Sequence, residues 1–127
     1  MSTDKNQITE KVIGCANKVG NALGCGFLEK CHENALAHEL RKAGLSVQQQ
    51  VPLDVLYDGI IVGQYVADLI VEGCVLIELK AIKACDEVHA AQCINYLAAT
   101  GLPICLLINF SKRVEVKRFL NARLQGN

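Results

Sequence analysis

The stretch Ala67-Asp68-Leu69-Ile70-Val71-Glu72-Gly73-Cys74-Val75-Leu76-Ile77-Glu78-Leu79-Lys80 decides the fold of this chain. It contains an apolar strand, a tight turn and a second apolar strand, which together predict a β-hairpin. Asp68, Glu78 and Lys80 interrupt the apolar pattern. Ionised side chains are rarely buried in strands without a partner or a metal, because their desolvation costs several kcal/mol. The two carboxylates therefore predict a site for a divalent cation, with the lysine beside it.

The register of this hairpin decides whether the two carboxylates meet. Residues two apart in a strand point to the same face, so Glu78 and Lys80 emerge together. A two-residue turn at 72–73 places Asp68 opposite Ile77, on the wrong face. A loop one residue longer, or a β-bulge, places Asp68 opposite Glu78, and we expect this arrangement because a shared metal requires it. The alternative is a Glu78–Lys80 ion pair on a solvated strand face.

Hydrophobic periodicity predicts the elements that surround the hairpin. Helices are predicted over 8–23, 28–43 and 86–100, and strands over 47–57, 60–71, 74–82, 103–110 and 113–120. The run 103–110 is almost continuously apolar, as in a strand that is covered on both faces. The order ααβββαββ predicts an α/β sandwich, in which a mixed sheet has helices on both faces.

Length and composition indicate one domain over residues 1–127, with a polar, frayed segment at 1–7. The formal net charge of zero argues against a protein that coats nucleic acid non-specifically, which is normally basic. The chain has neither a secretory leader nor an apolar run approaching about 18 residues, so we expect a cytoplasmic protein without a membrane partner. None of the seven cysteines forms a Cys-x-x-Cys pair, which disfavours zinc.

Two predicted helices carry polar stripes. One stripe has spacings of i, i+3 and i+7 and consists of His89, Gln92 and Tyr96. The other has spacings of i, i+3 and i+4 and consists of Glu29, His32 and Glu33. Spacing alone does not separate a site from a solvent-facing stripe, and a carboxylate in a first helical turn is ordinary because it interacts favourably with the helix dipole.

Basic residues are unevenly distributed along the chain. Between positions 112 and 123 there are five basic residues and a single acidic one, Glu115. We expect four of the basic residues to follow a nucleic-acid backbone: Lys112, Arg113, Lys117 and Arg118.

Five ordered segments resemble the GxxExxY proteins, which are small bacterial and archaeal members of the PD-(D/E)XK nuclease superfamily. The segments are GCGFLEKCHENAL at 24–36, YVAD at 65–68, IELK at 77–80, HAAQCINYL at 89–97 and LLINF at 106–110. The Glu-x-Lys motif is weak by itself, whereas the ordered set is specific. The resemblance extends from about Ile8 to Phe119.

The resemblance implies a restriction-endonuclease-like α/β/α sandwich around a central mixed sheet. Asp68 and Glu78 would be metal ligands, Lys80 the catalytic lysine and Glu29 an additional acidic residue. Gln92-x-x-x-Tyr96 is similar to the motif of RecB-type nucleases whose side chains support the site and contact DNA. The chain departs from the family pattern at four positions, which are Gly20 for His, Cys25 for Pro, His32 for Tyr and Val66 for Arg.

The leading functional hypothesis is a Mg²⁺- or Mn²⁺-dependent nuclease, with DNA favoured over RNA. The Leu79 carbonyl would add a metal ligand, and Lys80 would orient the attacking water. The alternatives are a nuclease-fold module that binds nucleic acid or a protein without cutting it, and a metal-dependent hydrolase of free nucleotides. The high apolar content of so small a chain is compatible with a homodimer.

Overall fold

The structure is a computed structural model that describes residues 4–124. Its helices are α1 (Lys5–Leu23), α2 (Glu29–Lys42) and α3 (Glu87–Thr100). Its strands are β1 (Val47–Tyr57), β2 (Ile60–Val71), β3 (Val75–Lys80), β4 (Ile104–Phe110) and β5 (Val114–Leu120), and a short 3₁₀ turn follows at Ala122–Leu124. The predicted order ααβββαββ is confirmed.

The five strands form one mixed sheet in the spatial order β1-β2-β3-β4-β5. Neighbouring strands are antiparallel, except that β3 and β4 are parallel. A parallel pair requires a crossover connection, and α3 provides it between these two strands. Every residue of β4 is buried, as its continuous apolar run predicts.

The sheet separates two hydrophobic clusters. Helices α1 and α2 pack on one face, where Val12 and Leu36 meet Ile77 and other side chains of the central strands. Helix α3 packs on the opposite face, where Leu97 meets Leu76 and its neighbours. Consecutive residues of β3 therefore face different layers, and this alternation brings Glu78 to the α3 side of the sheet together with Leu76.

The N-terminal helix begins earlier than the sequence predicts. Residues 5–7 of the predicted frayed segment belong to α1, and residues 1–3 of that segment lie outside the described residues. Ile8 is 2% exposed, and the Thr9 hydroxyl donates a hydrogen bond to the Asn6 carbonyl at 3.0 Å. Burial of Ile8 anchors the first turn, so the polar residues before it are held in the helix.

The hairpin formed by β1 and β2 extends beyond the two packed layers. Several large apolar side chains near its tip are exposed: Leu56, Tyr57, Ile60, Ile61 and Val62. The turn at Asp58 and Gly59 has positive φ at both residues, as expected for a tight hairpin turn. Within residues 4–124, no helix has the length and apolar character that crossing a bilayer requires.

Candidate active site

The two predicted acidic residues meet where β2 and β3 diverge. The ladder pairs Val71 with Val75 and Leu69 with Ile77, which leaves a three-residue connection at 72–74. The same register carried one residue further sets Asp68 opposite Glu78. The expected longer loop is therefore confirmed, and the two-residue turn is wrong.

At this point the carboxylates replace backbone groups as hydrogen-bond acceptors between the strands. The Asp68 N–H donates to Glu78 Oε1 at 3.2 Å, and the Leu79 N–H donates to Asp68 Oδ2 at 2.8 Å. Each carboxylate is thus held by the backbone of the opposite strand. This mutual anchoring fixes both side chains at the end of the ladder, so the site is preorganised.

Burial makes ionisation of these acids unfavourable. Glu78 is 3% exposed, and desolvation raises its pKa to about 8, with the charge of Asp68 as the second cause. Desolvation also raises the pKa of Asp68, against the hydrogen bonds from Leu79 and Gln50 that lower it. Among residues 4–124, neither carboxylate has an ion-pair partner within 4.0 Å. Burial therefore favours the protonated form of Glu78 at neutral pH unless a positive charge binds beside it.

Lys80 follows Glu78 by two positions on the same strand and is half-buried. The β3–β4 register places it beside Asn109. Its positive charge lowers the pKa values of Glu29, Asp68 and Glu78, although in each case burial outweighs it. Lys80 therefore lies within electrostatic range of all three acids, and it forms no ion pair within the described part of the chain.

The donor set fits Mg²⁺ or Mn²⁺. Residues 4–124 contain no group of three or more His, Cys, Asp or Glu side chains that would enclose an ion. Mg²⁺ does not need such a group, because it is usually bound by one or two carboxylates, with water and substrate phosphate as the remaining ligands. The buried Glu78 carboxylate and the half-buried Asp68 carboxylate beside it therefore match this chemistry.

Glu29 lies at the rim of the site, in the first turn of α2. Its side chain is exposed, and partial desolvation raises its pKa, while Lys80 lowers it and Asp68 raises it. These mutual effects place Glu29 in the same electrostatic neighbourhood as the carboxylate pair. Leu79, the predicted backbone ligand, reaches the site through its peptide, since its N–H bonds to Asp68.

Gln92 and Tyr96 form a pair on the side of α3 that faces the sheet. Gln92 Nε2 donates to the Tyr96 hydroxyl at 2.9 Å, and Tyr96 is 4% exposed. Burial raises the pKa of Tyr96 to about 12, with the charge of Glu78 as the second cause. The Tyr65 ring lies 5.2 Å from the Tyr96 ring. The structure thus brings this predicted pair next to Glu78.

His32 and His89, the two histidines predicted to support the site, make structural contacts at the ends of helices. His89 Nδ1 accepts a hydrogen bond from the Asp86 N–H at 3.1 Å, and the Asp86 carboxylate accepts from the first turn of α3, so together they form a capping box. His32 is fully buried, stacks on Phe110 with a centroid distance of 4.4 Å, and has Nε2 2.9 Å from the Gly24 carbonyl. His32 holds the α1–α2 loop, and His89 holds the start of α3.

The four predicted basic residues do not form one surface. Lys112 and Arg113 lie in the β4–β5 turn and line a cleft. Arg118 instead donates to the Asn6 side chain at 3.0 Å, near the start of α1. Lys117 lines a separate small depression. Adjacent positions along a strand alternate between faces, and this alternation separates residues that are clustered in the sequence.

Two residues without a predicted site role connect α2 to Asp68. Gln50 Nε2 donates to Asp68 Oδ1 at 3.3 Å and to Glu33 Oε1 at 2.7 Å. Glu33 is 4% exposed and also accepts from Gln49 at 2.8 Å and from Lys30 at 3.1 Å. Gln50 has φ of +53°, which is uncommon for a residue with a side chain. In the sequence, the run of three glutamines at 48–50 within a predicted strand was the feature that could have indicated this role.

Asn109 is the third residue whose role sequence reasoning missed. It is 2% exposed and binds the Ile82 backbone twice: Oδ1 accepts from the N–H at 3.0 Å, and Nδ2 donates to the carbonyl at 2.9 Å. These bonds fix the chain just after Lys80. They also explain why β3 ends at Lys80 rather than at Ile82. In the sequence, the feature that could have indicated this role was a single amide side chain in the otherwise apolar run 103–110.

Comparison with known proteins identifies the superfamily. The sequence model of the PD-(D/E)XK nuclease superfamily matches residues 6–119, which is most of the chain. No curated protein matches the sequence.

Solved structures share the fold at low sequence identity. The crystal structure of SSO0001 aligns with a TM-score of 0.58 at 16% identity, covering 73% of this chain and 50% of that one. The crystal structure of an alkaline exonuclease (LHK-Exo) from Laribacter hongkongensis aligns with a TM-score of 0.57 at 14% identity, covering 98% of this chain and 74% of that one. The chain thus spans half the length of SSO0001, and at these identities the likeness shows the fold alone.

Proposed function

The chain belongs to the PD-(D/E)XK nuclease superfamily, and from this premise we propose that it is a Mg²⁺- or Mn²⁺-dependent nuclease that hydrolyses phosphodiester bonds of DNA. The observation that carries the proposal is the Asp68–Glu78 pair, in which Glu78 is buried and Asp68 half-buried. Each carboxylate is fixed by a backbone hydrogen bond, and among the described residues neither forms an ion pair within 4.0 Å. Lys80 stands on the same strand, two positions from Glu78. Assignment to the GxxExxY proteins within the superfamily is part of this proposal.

Each residue has a role in the proposed reaction. Asp68 and Glu78 would hold the cation together with the Leu79 carbonyl, and Glu29 would contribute negative charge at the rim. A bound divalent cation supplies Lewis-acid stabilisation of charge on the phosphate. Lys80 orients the attacking water beside the phosphorus atom. It also stabilises the negative charge that develops on the phosphate oxygens.

Gln92 and Tyr96 complete the site on the α3 side. Their mutual hydrogen bond orients the amide and the hydroxyl, and the proximity of Tyr96 to Glu78 supports a role in shaping the carboxylate site. The Tyr96 oxygen accepts the Gln92 hydrogen bond, so the hydroxyl proton remains available for donation. We assign these two residues to support of the site and to contact with the DNA strand.

A cleavage assay tests the proposal. Purified protein is incubated with end-labelled single-stranded and duplex DNA and with RNA, in Mg²⁺, Mn²⁺ or EDTA. We expect cleavage of DNA that requires the cation and that falls by about 100-fold or more in Lys80→Ala, since that variant loses charge stabilisation at the phosphate. Glu39→Gln is the matched control, because Glu39 lies in an ion-pair cluster with Lys18 and Lys42.

The assay has two outcomes that contradict the nuclease assignment. If Lys80→Ala cleaves at the wild-type rate, the assigned site is wrong. If the wild type binds DNA but leaves it intact under every cation condition, the non-catalytic binding module replaces the nuclease. A homodimer stays a prediction that sedimentation of the wild type would test.

A further inference from the structure

A cleft lies at the β4–β5 turn, next to the chain that follows Lys80. It has a volume of about 770 Å³, and its lining includes Gly26, Ile82, Lys83, Phe110, Lys112 and Arg113; we call it the β4–β5 cleft. Ile82 follows Lys80 by two positions, and the parallel β3–β4 register sets Lys80 beside Asn109, the neighbour of Phe110. The opposite wall contains Gly26, three positions before Glu29. The lining therefore includes the chain that follows Lys80 and the loop that precedes Glu29.

The charge of the cleft is positive. Three exposed cations, Lys83, Lys112 and Arg113, line it together with one acid, Glu115. Within residues 4–124, none of the three side chains forms an ion pair or a side-chain hydrogen bond. Lys18, Lys30 and Lys42 in contrast each contact a glutamate. Three cations without partners in a chain of zero net charge form a surface for a phosphate-bearing ligand.

The accessible floor of the cleft is apolar. Ile82 and Val114 are half-buried there, and they lie over Phe110, which is 2% exposed and stacked on His32. A basic rim above an apolar floor suits an unpaired strand, whose bases are free to pack on protein side chains. A duplex keeps its bases stacked inside and would leave this floor unused.

Both walls of the cleft are held by internal hydrogen bonds. Asn109 fixes the Ile82 backbone through two bonds, and His32 holds the Gly24 carbonyl of the opposite loop. The volume is in the range of pockets that enclose a small organic molecule, roughly 300–1,000 Å³. It therefore accommodates a short unpaired segment. The preformed walls reduce the entropic cost of binding.

We propose that the β4–β5 cleft binds an unpaired DNA strand, with its phosphates on Lys83, Lys112 and Arg113, and leads that strand to Lys80. This inference rests on the proposed function and deepens it, because it names single-stranded DNA, or an unpaired end of a duplex, as the substrate class.

Fluorescence anisotropy in EDTA measures binding without cleavage. The probes are a labelled single-stranded oligonucleotide and a blunt duplex of the same sequence. We expect the single strand to bind more tightly, and Lys112→Ala/Arg113→Ala to weaken its binding by about tenfold or more. The slope of log Kd against log salt should fall by about 0.7 for each phosphate contact removed. The control is Lys5→Ala/Lys11→Ala, which removes the same charge from exposed positions of α1.

Two exposed cysteines provide a second readout on the unmodified protein. Cys25 lines the cleft, whereas Cys31 is exposed on α2 outside it. We expect the oligonucleotide to slow alkylation of Cys25 and to leave alkylation of Cys31 unchanged, as measured by mass spectrometry of the labelled peptides. Thermal unfolding of each variant verifies that it is folded.

The outcomes separate this inference from the proposed function. Equal affinity for single strand and duplex overturns the inference, and so does an equal loss of affinity in the α1 control, or equal protection of both cysteines. A protein that cleaves DNA but fails these binding tests retains the proposed function without the cleft. A protein that binds the strand through the cleft but never cleaves retains the cleft without the proposed function.

Discussion

Glu39 and Glu78 show two ways in which this molecule treats a carboxylate. Glu39 contacts Lys18 at 2.9 Å and Lys42 at 3.2 Å, and these two cations hold its pKa below the usual range. Glu78 is 3% exposed and has Asp68 as its neighbour, and its pKa is raised to about 8. The fold neutralises one acid internally and leaves the other without a cation. This difference is the basis on which we propose that Glu78 binds a divalent cation.

Glu33 shows that burial by itself does not produce such an acid. It is 4% exposed, which is similar to Glu78, yet it accepts hydrogen bonds from Lys30, Gln49 and Gln50. Buried polar groups normally have partners of this kind. Glu78 instead receives only the Asp68 N–H among the described residues. Of these two buried glutamates, Glu78 thus has fewer hydrogen-bond donors and no ion pair within 4.0 Å among the described residues.

The largest expected difference between Glu78 and Glu39 is in the effect of their substitution on the cleavage rate. We expect Glu78→Gln to reduce cleavage by about 100-fold or more, because the amide loses the negative charge that holds the cation while keeping the shape of the side chain. Glu39→Gln should retain the wild-type rate. Initial rates on labelled DNA in Mg²⁺ measure both variants. Comparable rates in Glu78→Gln and Glu39→Gln would erase the functional contrast.

The second prediction concerns opposite pH dependences in metal-free protein. The pKa of Glu78 is raised from 4.5 to about 8, so its contribution to stability is fully present below pH 4.5 and is lost as the pH rises through about 8. The pKa of Glu39 is lowered, so its contribution is present above pH 4.5 and is lost as the pH falls through its folded value.

Urea unfolding in EDTA across this pH range measures the two contributions. Glu78→Gln should remove part of the loss of stability above pH 4.5, and Glu39→Gln should remove part of the loss on the acidic side. An unchanged pH profile in Glu78→Gln would show that the carboxylate is not desolvated as described.

A smaller effect is expected from substitution of Gln50, whose side chain connects Glu33 to Asp68. Gln50→Ala removes the hydrogen bonds to Asp68 and to Glu33. We expect Mn²⁺ affinity to fall by roughly tenfold, as for other residues that orient metal ligands, and the free energy of unfolding to fall by about 1–2 kcal/mol. Calorimetry and urea unfolding measure these values.

Glu115→Gln is the matched control for Gln50→Ala, because Glu115 is exposed and contacts only Ser111 among the described side chains. If Gln50→Ala binds Mn²⁺ as tightly as this control and the wild type do, Gln50 stabilises α2 without orienting Asp68.

The hairpin shows what sequence can predict and what it leaves open. Apolar strands around a turn were evident from the pattern of residues 67–80, and so was the order of elements. The Glu72-Gly73 sequence is compatible with a two-residue turn and with a longer loop. The requirement that Asp68 and Glu78 share a metal selected the correct register. The chemical requirement for two adjacent carboxylates thus predicted the register, which local turn propensity left open.

Contacts between distant elements could not be predicted in the same way. Gln50 reaches Asp68 only because β1 pairs with β2 and α2 lies above both strands. Lys117 and Arg118 are close to Lys112 in sequence, yet strand alternation and the packing of α1 separate them. His32 fits a polar helical stripe, whereas the fold stacks it on Phe110 from another layer. Such roles depend on tertiary neighbours that a single sequence does not reveal.

Calorimetric titration of Mn²⁺ into wild type, Glu78→Gln and Glu39→Gln tests the central claim most directly. We predict saturable binding of similar affinity in the wild type and Glu39→Gln, and no saturable binding in Glu78→Gln. Binding that is unchanged in Glu78→Gln, or absent from all three proteins even with a non-cleavable phosphodiester present, would contradict the assignment of the Asp68–Glu78 pair as the metal site.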